Sequence, residues 1–379
     1  MKTILFVHQS AELYGSDKML QILLSHLDRT VFKPVVVLPG EGPLKQKLEQ
    51  DNITVVTAPV LKVYRKMFTP SNLMRFFSEI QHGIKILDKL NGQHKFDIVY
   101  SNTLAVLLGM IYARKRRLKH VWHVHEIIVH PRLIASAFPR LLKRFADVVI
   151  CNSKATKNNL VSRIPSLEQK CVVIHNGVEG KEAHTTAITK ASAGFNEDDV
   201  VVTLVGRISR LKGHKWLIDA FEKYLPETNI KLLFVGSPVP GQEFYEEEIK
   251  AIIAAGKLED RIQIKPFTKD LQPVWAITDI AVMPSTEAES FGLVALEAML
   301  AGKPVIGSDH GGLKEIIVND VTGFLVEPSN TAKLADAIVK LASDSDLRER
   351  MGAAGYDRAK NEFSQQGYVE KISAILQNV

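Results

Sequence analysis

Cysteine is nearly absent from this chain, with two in 379 residues. Cys151 and Cys171 each stand beside apolar, strand-like residues, which excludes a disulfide framework and leads us to expect buried thiols in a reducing compartment. Long hydrophobic runs are missing as well. The richest, Leu104 to Ala113, falls short of the roughly 18 residues a bilayer requires and leads straight into Arg114, Lys115, Arg116 and Arg117. At the N-terminus, Glu12 and Asp17 interrupt MKTILFVHQS before a signal-peptide core could form, so that stretch reads as a first strand. Glycine is scarce where a dinucleotide enzyme needs it. The loop Gln9 to Gly15 offers one glycine in place of G-x-G-x-x-G, which argues against an NAD enzyme. These absences predict a cytoplasmic protein.

What is present is a rhythm. Short β-branched runs recur at Ile4, Pro34, Ile53, Ile98, His120 and Asp147, each followed by room for one helix. Their apolarity is continuous rather than alternating, as expected of strands buried on both faces of a parallel sheet. The rhythm breaks after VVIHNGV, where Gly180 to Gly194 is polar and aperiodic and reads as a linker. It resumes with VVTLVGRI, KLLFVGS, RIQIKPF, DIAVMPS, KPVIGSD and GFLVEP. Two Rossmann-like α/β domains are predicted, 1–180 and 195–365, with a last helix near 366–379 packing back on the first. In such sheets ligands bind outside the carboxyl ends of the strands.

The most informative of those strand ends carries Glu289-Ser-Phe-Gly-Leu-Val-Ala-Leu-Glu297 after DIAVMPS. Gly292 permits close backbone approach, and the N–H groups of Phe291, Gly292 and Leu293 at a helix start favour an anion such as a diphosphate. For Glu289 and Glu297 two readings stand together: acceptors for sugar hydroxyls, or ordinary helix residues, one of them favourably placed on the helix dipole. Nearby in the pattern, GRISRLKG sends Arg207 and Lys212 out of the second domain's first strand, a guanidinium fork and an ammonium suited to a pyrophosphate. The formal charge of +6 is mild for this length. It is concentrated at Lys62, Arg65, Lys66 and Arg75, at Arg114 to Lys119, and at Arg140, Lys143 and Arg144 among Phe, Leu and Met, which suits either an anionic membrane surface or a solvated helix face. Asp344-Ser-Asp346 has the look of a metal motif but precedes a helical stretch, so an N-cap is the better reading.

Together VGRISRLKG, PSTEAESFGLVALEAMLAGKPVIGSDHGGLKEII and GFLVEP resemble the donor-binding half of glycosyltransferase family 4, retaining enzymes of the GT-B fold with two Rossmann-like domains facing across a cleft. The resemblance implies that Glu289 contacts the transferred sugar, Glu297 the ribose hydroxyls, and Arg207 and Lys212 the diphosphate. It also implies that backbone around Lys265 to Phe267 meets the nucleobase, although Pro266, which has no N–H, stands where many members carry glycine. The first domain is similar more loosely, through LYGSDKML, HVHE, NSKATKNNL and HNGV. Gly15 resembles the second glycine of the family's Gly-Gly loop, with Tyr14 replacing the first, and His125 its active-site histidine. His123 reads as packing, and the His-x-His pair lacks a third ligand for zinc. The expected donor is a UDP-, GDP- or ADP-linked sugar and the expected acceptor a saccharide or lipid-linked saccharide, with no essential metal and no nucleic acid. A nucleotide-sugar 2-epimerase or a non-catalytic binding module shares the architecture.

Overall fold

The structure is a computed structural model that describes residues 1–61, 70–180, 189–226 and 228–379, with residues 70–75 as backbone only. Lys62, Arg65 and Lys66 lie outside the described residues, as does the side chain of Arg75. The chain divides into two compact units, one made of Met1–Gly177 with Gln365–Val379, the other of Val178–Ser364.

In the first unit the apolar runs form β1 (Lys2–His8), β2 (Phe32–Leu38), β3 (Thr54–Thr57), β4 (Ile98–Asn102), β5 (Lys119–Val124), β6 (Val148–Cys151) and β7 (Cys171–Val173). They make one sheet in the order β3-β2-β1-β4-β5-β6-β7. The second unit holds β8 (Val200–Val205), β9 (Ile230–Val235), β10 (Ile262–Lys265), β11 (Ile280–Met283), β12 (Val305–Ser308) and β13 (Gly323–Val326), in the order β10-β9-β8-β11-β12-β13. Every pairing in both sheets is parallel. In each sheet the strand order reverses once, between β1 and β4 and between β8 and β11, and a crevice opens at the carboxyl ends there.

Burial explains the continuous apolarity. Leu5 and Val7 of β1, Val35 and Val37 of β2 and Val99 of β4 pack with Leu108 and Tyr112 on one side of the first sheet, while Val202, Leu204, Leu232 and Val282 join Trp216 and Phe221 in the second unit. Each such side chain contributes about 1.5–3 kcal/mol by leaving water. Cys151 and Cys171 are buried and free, as thiols in an apolar core. Asp344 accepts the Leu347 N–H at 2.8 Å, so Asp-Ser-Asp opens the helix Ser345–Glu362.

The chain passes between units at 177/178 and again at 364/365. The helix Gln365–Asn378 packs on the helix Gly15–His26: Tyr368 is buried and its hydroxyl donates to the Met19 carbonyl. The stretch read as a linker is in part tied down. Lys190 pairs with Asp279 at 2.8 Å and donates to the Asp199 carbonyl at 2.7 Å, so residues 189–194 are a surface turn of the second unit whose polarity reflects exposure. No helix among the described residues is long and apolar enough to cross a membrane.

Two histidines of β5 are wholly enclosed. His120 lies between Ser101 Oγ at 2.9 Å and the Phe145 carbonyl at 3.1 Å, and His123 Nδ1 meets the Tyr100 hydroxyl at 2.7 Å. Burial pushes His120 down to about 4 and His123 to about 3. Both rings are neutral above pH 6.5 in the folded and unfolded chain alike. Below that, the unfolded chain takes up protons that the folded chain refuses, so stability is full above about pH 6.5 and falls on acidification by up to about 1.4 kcal/mol per pH unit for each ring. Urea unfolding followed from pH 7.5 to 5 is expected to show a midpoint that begins to drop near pH 6.5. A midpoint constant down to pH 5 would contradict this assignment.

Candidate functional site

At the reversal point of the second sheet, the loops leaving β8 and β11 are stitched together by backbone. Gly213, at φ 74°, closes the β8 loop so tightly against the next that a Cβ there would lie 1.7 Å from the Pro284 carbonyl oxygen, and the Thr286 N–H donates to the Leu211 carbonyl at 2.9 Å. This contact brings Lys212 to Glu289, residues 77 apart in the chain, with Nζ 2.6 Å from Oε1. Ser285 Oγ donates to the same carboxylate oxygen. The loop after β12 completes the cradle. Gly312 N–H donates to the Glu289 carbonyl at 2.7 Å, while Ser308 Oγ and His310 Nε2 both donate to the Ser285 carbonyl, at 2.7 and 3.0 Å. With side chains 26% and 18% exposed, Lys212 and Glu289 are too enclosed to count as an ordinary surface pair. Burial raises the Glu289 pKa, but the Lys212 ammonium and the hydrogen bonds from Lys212 and Ser285 outweigh it and hold the carboxyl below its usual value.

Sequence reasoning gave these two residues separate ligands, diphosphate for Lys212 and sugar for Glu289. In the structure they hold each other. Arg207 leaves the same strand end and is exposed, and the Lys212 stem lies over Gly206, where a Cβ would stand 3.4 Å from Cδ. The helix Leu293–Leu300 begins beside them. Gly292 caps it at φ 114°, a conformation that favours glycine, and a Cβ there would be 2.6 Å from Leu313 Cδ2. The intrahelical ladder starts with Ala295 and Leu296 donating to the Gly292 carbonyl, so the Leu293 and Val294 N–H groups precede it. Phe291 is a core side chain, 5.9 Å edge-on from Phe363, and could offer a ligand only its backbone. Glu297 is one turn inside the helix and partly buried.

Pro266 and Phe267 follow β10 and are exposed. The backbone there is more committed than sequence suggested: Phe267 N–H donates to Ser237 Oγ at 3.1 Å and the Lys265 carbonyl accepts from Gly236 at 2.9 Å. The Phe267 side chain is 47% exposed.

At the reversal point of the first sheet, one expectation needs correcting. Gly15 is the first residue of the helix Gly15–His26 rather than a loop glycine, and its φ is not in the left-handed region. Asp17 causes the early start by reaching back to the Tyr14 N–H at 2.9 Å. His125 follows β5 and is buried, its ring centroid 3.9 Å from that of His123, in keeping with period-two placement. Its Nε2 lies 2.9 Å from Asn102 Oδ1 at the end of β4. Asn102 Nδ2 reaches His8 Nδ1 at 3.0 Å, and His8 Nε2 reaches Asp17 Oδ1 at 2.6 Å. Burial holds His125 well below the usual histidine value, and the neighbouring His123 and His8 rings add to this. Glu126 accepts the Leu104 and His125 N–H groups, each at 3.1 Å, and burial nonetheless raises its pKa. His8, Asp17, Asn102 and Glu126 escaped the sequence reading. A signal existed: His8 and Asn102 are the polar last residues of apolar strands, which end where ligands bind. Among the described residues no group of three His, Cys, Asp or Glu is gathered as a metal site would require.

Comparison with known proteins agrees with this architecture. A family model described as Glycosyltransferase Family 4 matches residues 15–181, and one described as Glycosyl transferases group 1 matches residues 186–358. The chain is 26% identical over 309 residues to N-acetyl-alpha-D-glucosaminyl L-malate synthase of Bacillus anthracis, covering 73% of this chain and 79% of that one. It is 26% identical over 336 residues to lipopolysaccharide 1,2-N-acetylglucosaminetransferase of Salmonella typhimurium, covering 86% and 84%. Among solved structures, Anabaena Alr3699/HepE in complex with UDP and glucose superposes with a TM-score of 0.85 at 26% identity over the whole of both chains. Two family matches that divide the chain between them, and two parallel sheets each with one reversal of strand order, make this chain a member of glycosyltransferase family 4 and a glycosyltransferase of the GT-B fold.

Proposed function

We propose that this glycosyltransferase moves a sugar from a nucleoside diphosphate sugar, UDP-linked in the first instance, to a hydroxyl of a saccharide or lipid-linked saccharide, with retention at the anomeric carbon. The observation that carries this reading is the Lys212–Glu289 pair at the reversal point of the second sheet. A diphosphate arriving there competes with Glu289 for the Lys212 ammonium. Phosphate binding thereby releases a carboxylate oxygen, already ionised, to accept a sugar hydroxyl. Arg207 and the leading N–H groups of the helix Leu293–Leu300 supply the remaining positive potential. Strands lie about 4.8 Å apart, so the β10 loop with Pro266 and Phe267 stands roughly 10 Å from the β8 loop, a reach that a ribose and base would fill. Glu297, one turn further along the helix, is the candidate for the ribose hydroxyls.

Kept in place by Ser285 once Lys212 turns to the diphosphate, Glu289 serves as a binding group rather than a nucleophile. Retention then proceeds by front-face attack, the acceptor oxygen bonding to the anomeric carbon as the bond to the diphosphate breaks, with the departing phosphate taking the acceptor's proton. The preference for UDP rests on the Anabaena relative, whose structure holds UDP and glucose, and the choice of acceptor on the Salmonella one. His125 and the start of the helix Gly15–His26, at the carboxyl end of the first sheet, are the proposed sugar and acceptor contacts of that unit. Arg207 and Lys212 would neutralise the leaving group, so no metal is required.

The helix Arg132–Phe145 supports an encounter with an anionic membrane at the inner face of the cell membrane. It buries Ala135, Phe138 and Leu142 while exposing Arg132, Arg140, Lys143 and Arg144 together with Leu133, which is 77% exposed. Cationic side chains beside an exposed leucine on one helix suit an anionic interface.

Lys212→Ala and Glu289→Ala are each expected to lower transfer by about 10²–10³-fold, the scale of a lost electrostatic group at a reacting centre, with an unchanged circular dichroism spectrum. UDP should raise the unfolding temperature of the wild type and much less that of Lys212→Ala. Near-wild-type turnover in both variants would sink the assignment, and UDP binding with no UDP release from UDP-sugars would favour a binding module. Transfer is expected to persist in EDTA, and its abolition with recovery on adding a divalent ion would refute the metal-free reading. In vesicle sedimentation the chain should pellet with phosphatidylserine but not with phosphatidylcholine alone, and Lys143→Glu with Arg144→Glu should weaken this by several-fold per charge. Equal recovery with both lipids, or with neither, would remove the membrane from the proposal.

A further inference from the structure

Asn102, at the end of β4, touches both His8 and His125 of the buried network, and its amide has a single direction open to it. Nδ2 lies 3.3 Å from the Ser16 carbonyl oxygen. A carbonyl can only accept, so the NH2 group must face Ser16, and Oδ1 is turned toward His125. Nδ2 also reaches His8 Nδ1 at 3.0 Å, while His8 Nε2 spends its proton on Asp17 Oδ1 at 2.6 Å. His8 Nδ1 stands 3.2 Å from the Asn102 main-chain carbonyl too, but whichever of these it engages, Ser16 still dictates the amide. Asp17 is anchored in turn by the Tyr14 N–H at 2.9 Å and Ser10 Oγ at 3.3 Å.

The consequence falls on His125. Its Nε2 is 2.9 Å from Asn102 Oδ1, an oxygen that can only accept, so Nε2 must carry the hydrogen. Among the described residues Nδ1 has no hydrogen-bond partner, and the His125 side chain keeps a narrow opening, with the residue 9% exposed. We propose that Asn102 is a positioning residue that locks His125 in its Nε2–H tautomer and so presents a bare Nδ1 as the hydrogen-bond acceptor for a hydroxyl of the bound sugar. This deepens the reading in which His125 contacts sugar, and rests on it. The groups facing His125 all favour a neutral ring that keeps its lone pair: the enclosed His123 ring at 3.9 Å, backed by Tyr100 and Tyr368, and His8, whose partner Asp17 lies beyond it. The exception is Glu126, whose carboxyl accepts the His125 main-chain N–H rather than a ring hydrogen.

The lock is read directly by 15N chemical shifts of the full chain labelled at histidine, with His125 assigned by the signals lost in His125→Gln. The wild type is expected to show a protonated Nε2 and an unprotonated Nδ1 at His125 from pH 5 to 8. Asn102→Asp sets a carboxylate against Nε2–H and stabilises the imidazolium, whose Nδ1 has no lone pair to offer. In that variant kcat/KM for UDP release from UDP-glucose should gain an acid limb, falling about tenfold between pH 8 and pH 6 beyond any change in the wild type and recovering at high pH. A role limited to packing would lower the rate without adding that limb. Finding the Nδ1–H tautomer or the imidazolium in the wild type at pH 7 would overturn the proposal, as would a pH profile for Asn102→Asp parallel to the wild type. The wild-type spectrum needs no variant to fold. If His125→Ala turned over at the wild-type rate, the sugar contact at this strand end would fail, while the 15N shifts would still decide the tautomer.

Discussion

Strands buried on both faces leave polar chemistry only one place to go. Interior strand positions are mostly apolar, and the polar ones on β4 and β5, Ser101, His120 and His123, are buried and paired within the unit, whereas His8 follows four buried apolar or aromatic residues at the end of β1, Asn102 closes β4 and Ser308 closes β12. The reversal of strand order then decides which of those ends has room for a ligand. Both candidate constellations follow from this constraint. One is cationic and built from loops. The other joins imidazole, amide and carboxylate groups at strand ends and a helix start.

The two differ in how they are held. Lys212 and Glu289 are fixed by glycines, since Gly213 and Gly311 bring backbone so close that a Cβ would stand 1.7 Å from the Pro284 oxygen and 2.4 Å from the Glu289 oxygen. Partly buried, the pair is sustained by Ser285 and by its own attraction, and removal of either partner strands a charge. That is a sensible resting state for a site proposed to take a polyanion. The first unit's network is held by burial and by its own hydrogen bonds. Beside it, the enclosed rings of His120 and His123 make the unit sensitive to acid.

Much of the fold was legible because a parallel sheet writes itself as separate apolar runs, and each run that we marked coincides with a strand of the structure. The second unit's candidate residues were also accessible, since Glu289, Gly292, Leu293 and Glu297 share one contiguous segment and Arg207 and Lys212 another. What sequence does not carry is who faces whom. The ion pair joins residues 77 apart, and the His8, Asp17, Asn102 and His125 network collects side chains from two strands, the loop after a third and a helix. Gly15 was misplaced because a glycine after a strand suggests a turn, while the Asp17 hydrogen bond to the Tyr14 backbone starts the helix there instead. The polar stretch from Gly180 to Gly194 reads as a linker, and the pairing of its Lys190 with Asp279 is a long-range contact that sequence does not announce.

The central claim is that a diphosphate lodges where the β8 and β11 loops meet. A crystal structure of the chain soaked with UDP tests it most directly. The β-phosphate is expected within hydrogen-bonding distance of Lys212 Nζ and the leading N–H groups of the helix Leu293–Leu300, with Glu289 freed on one oxygen and the uracil beside Phe267. Diphosphate density elsewhere, or UDP bound with the Lys212–Glu289 pair undisturbed and no contact to Arg207, would contradict it.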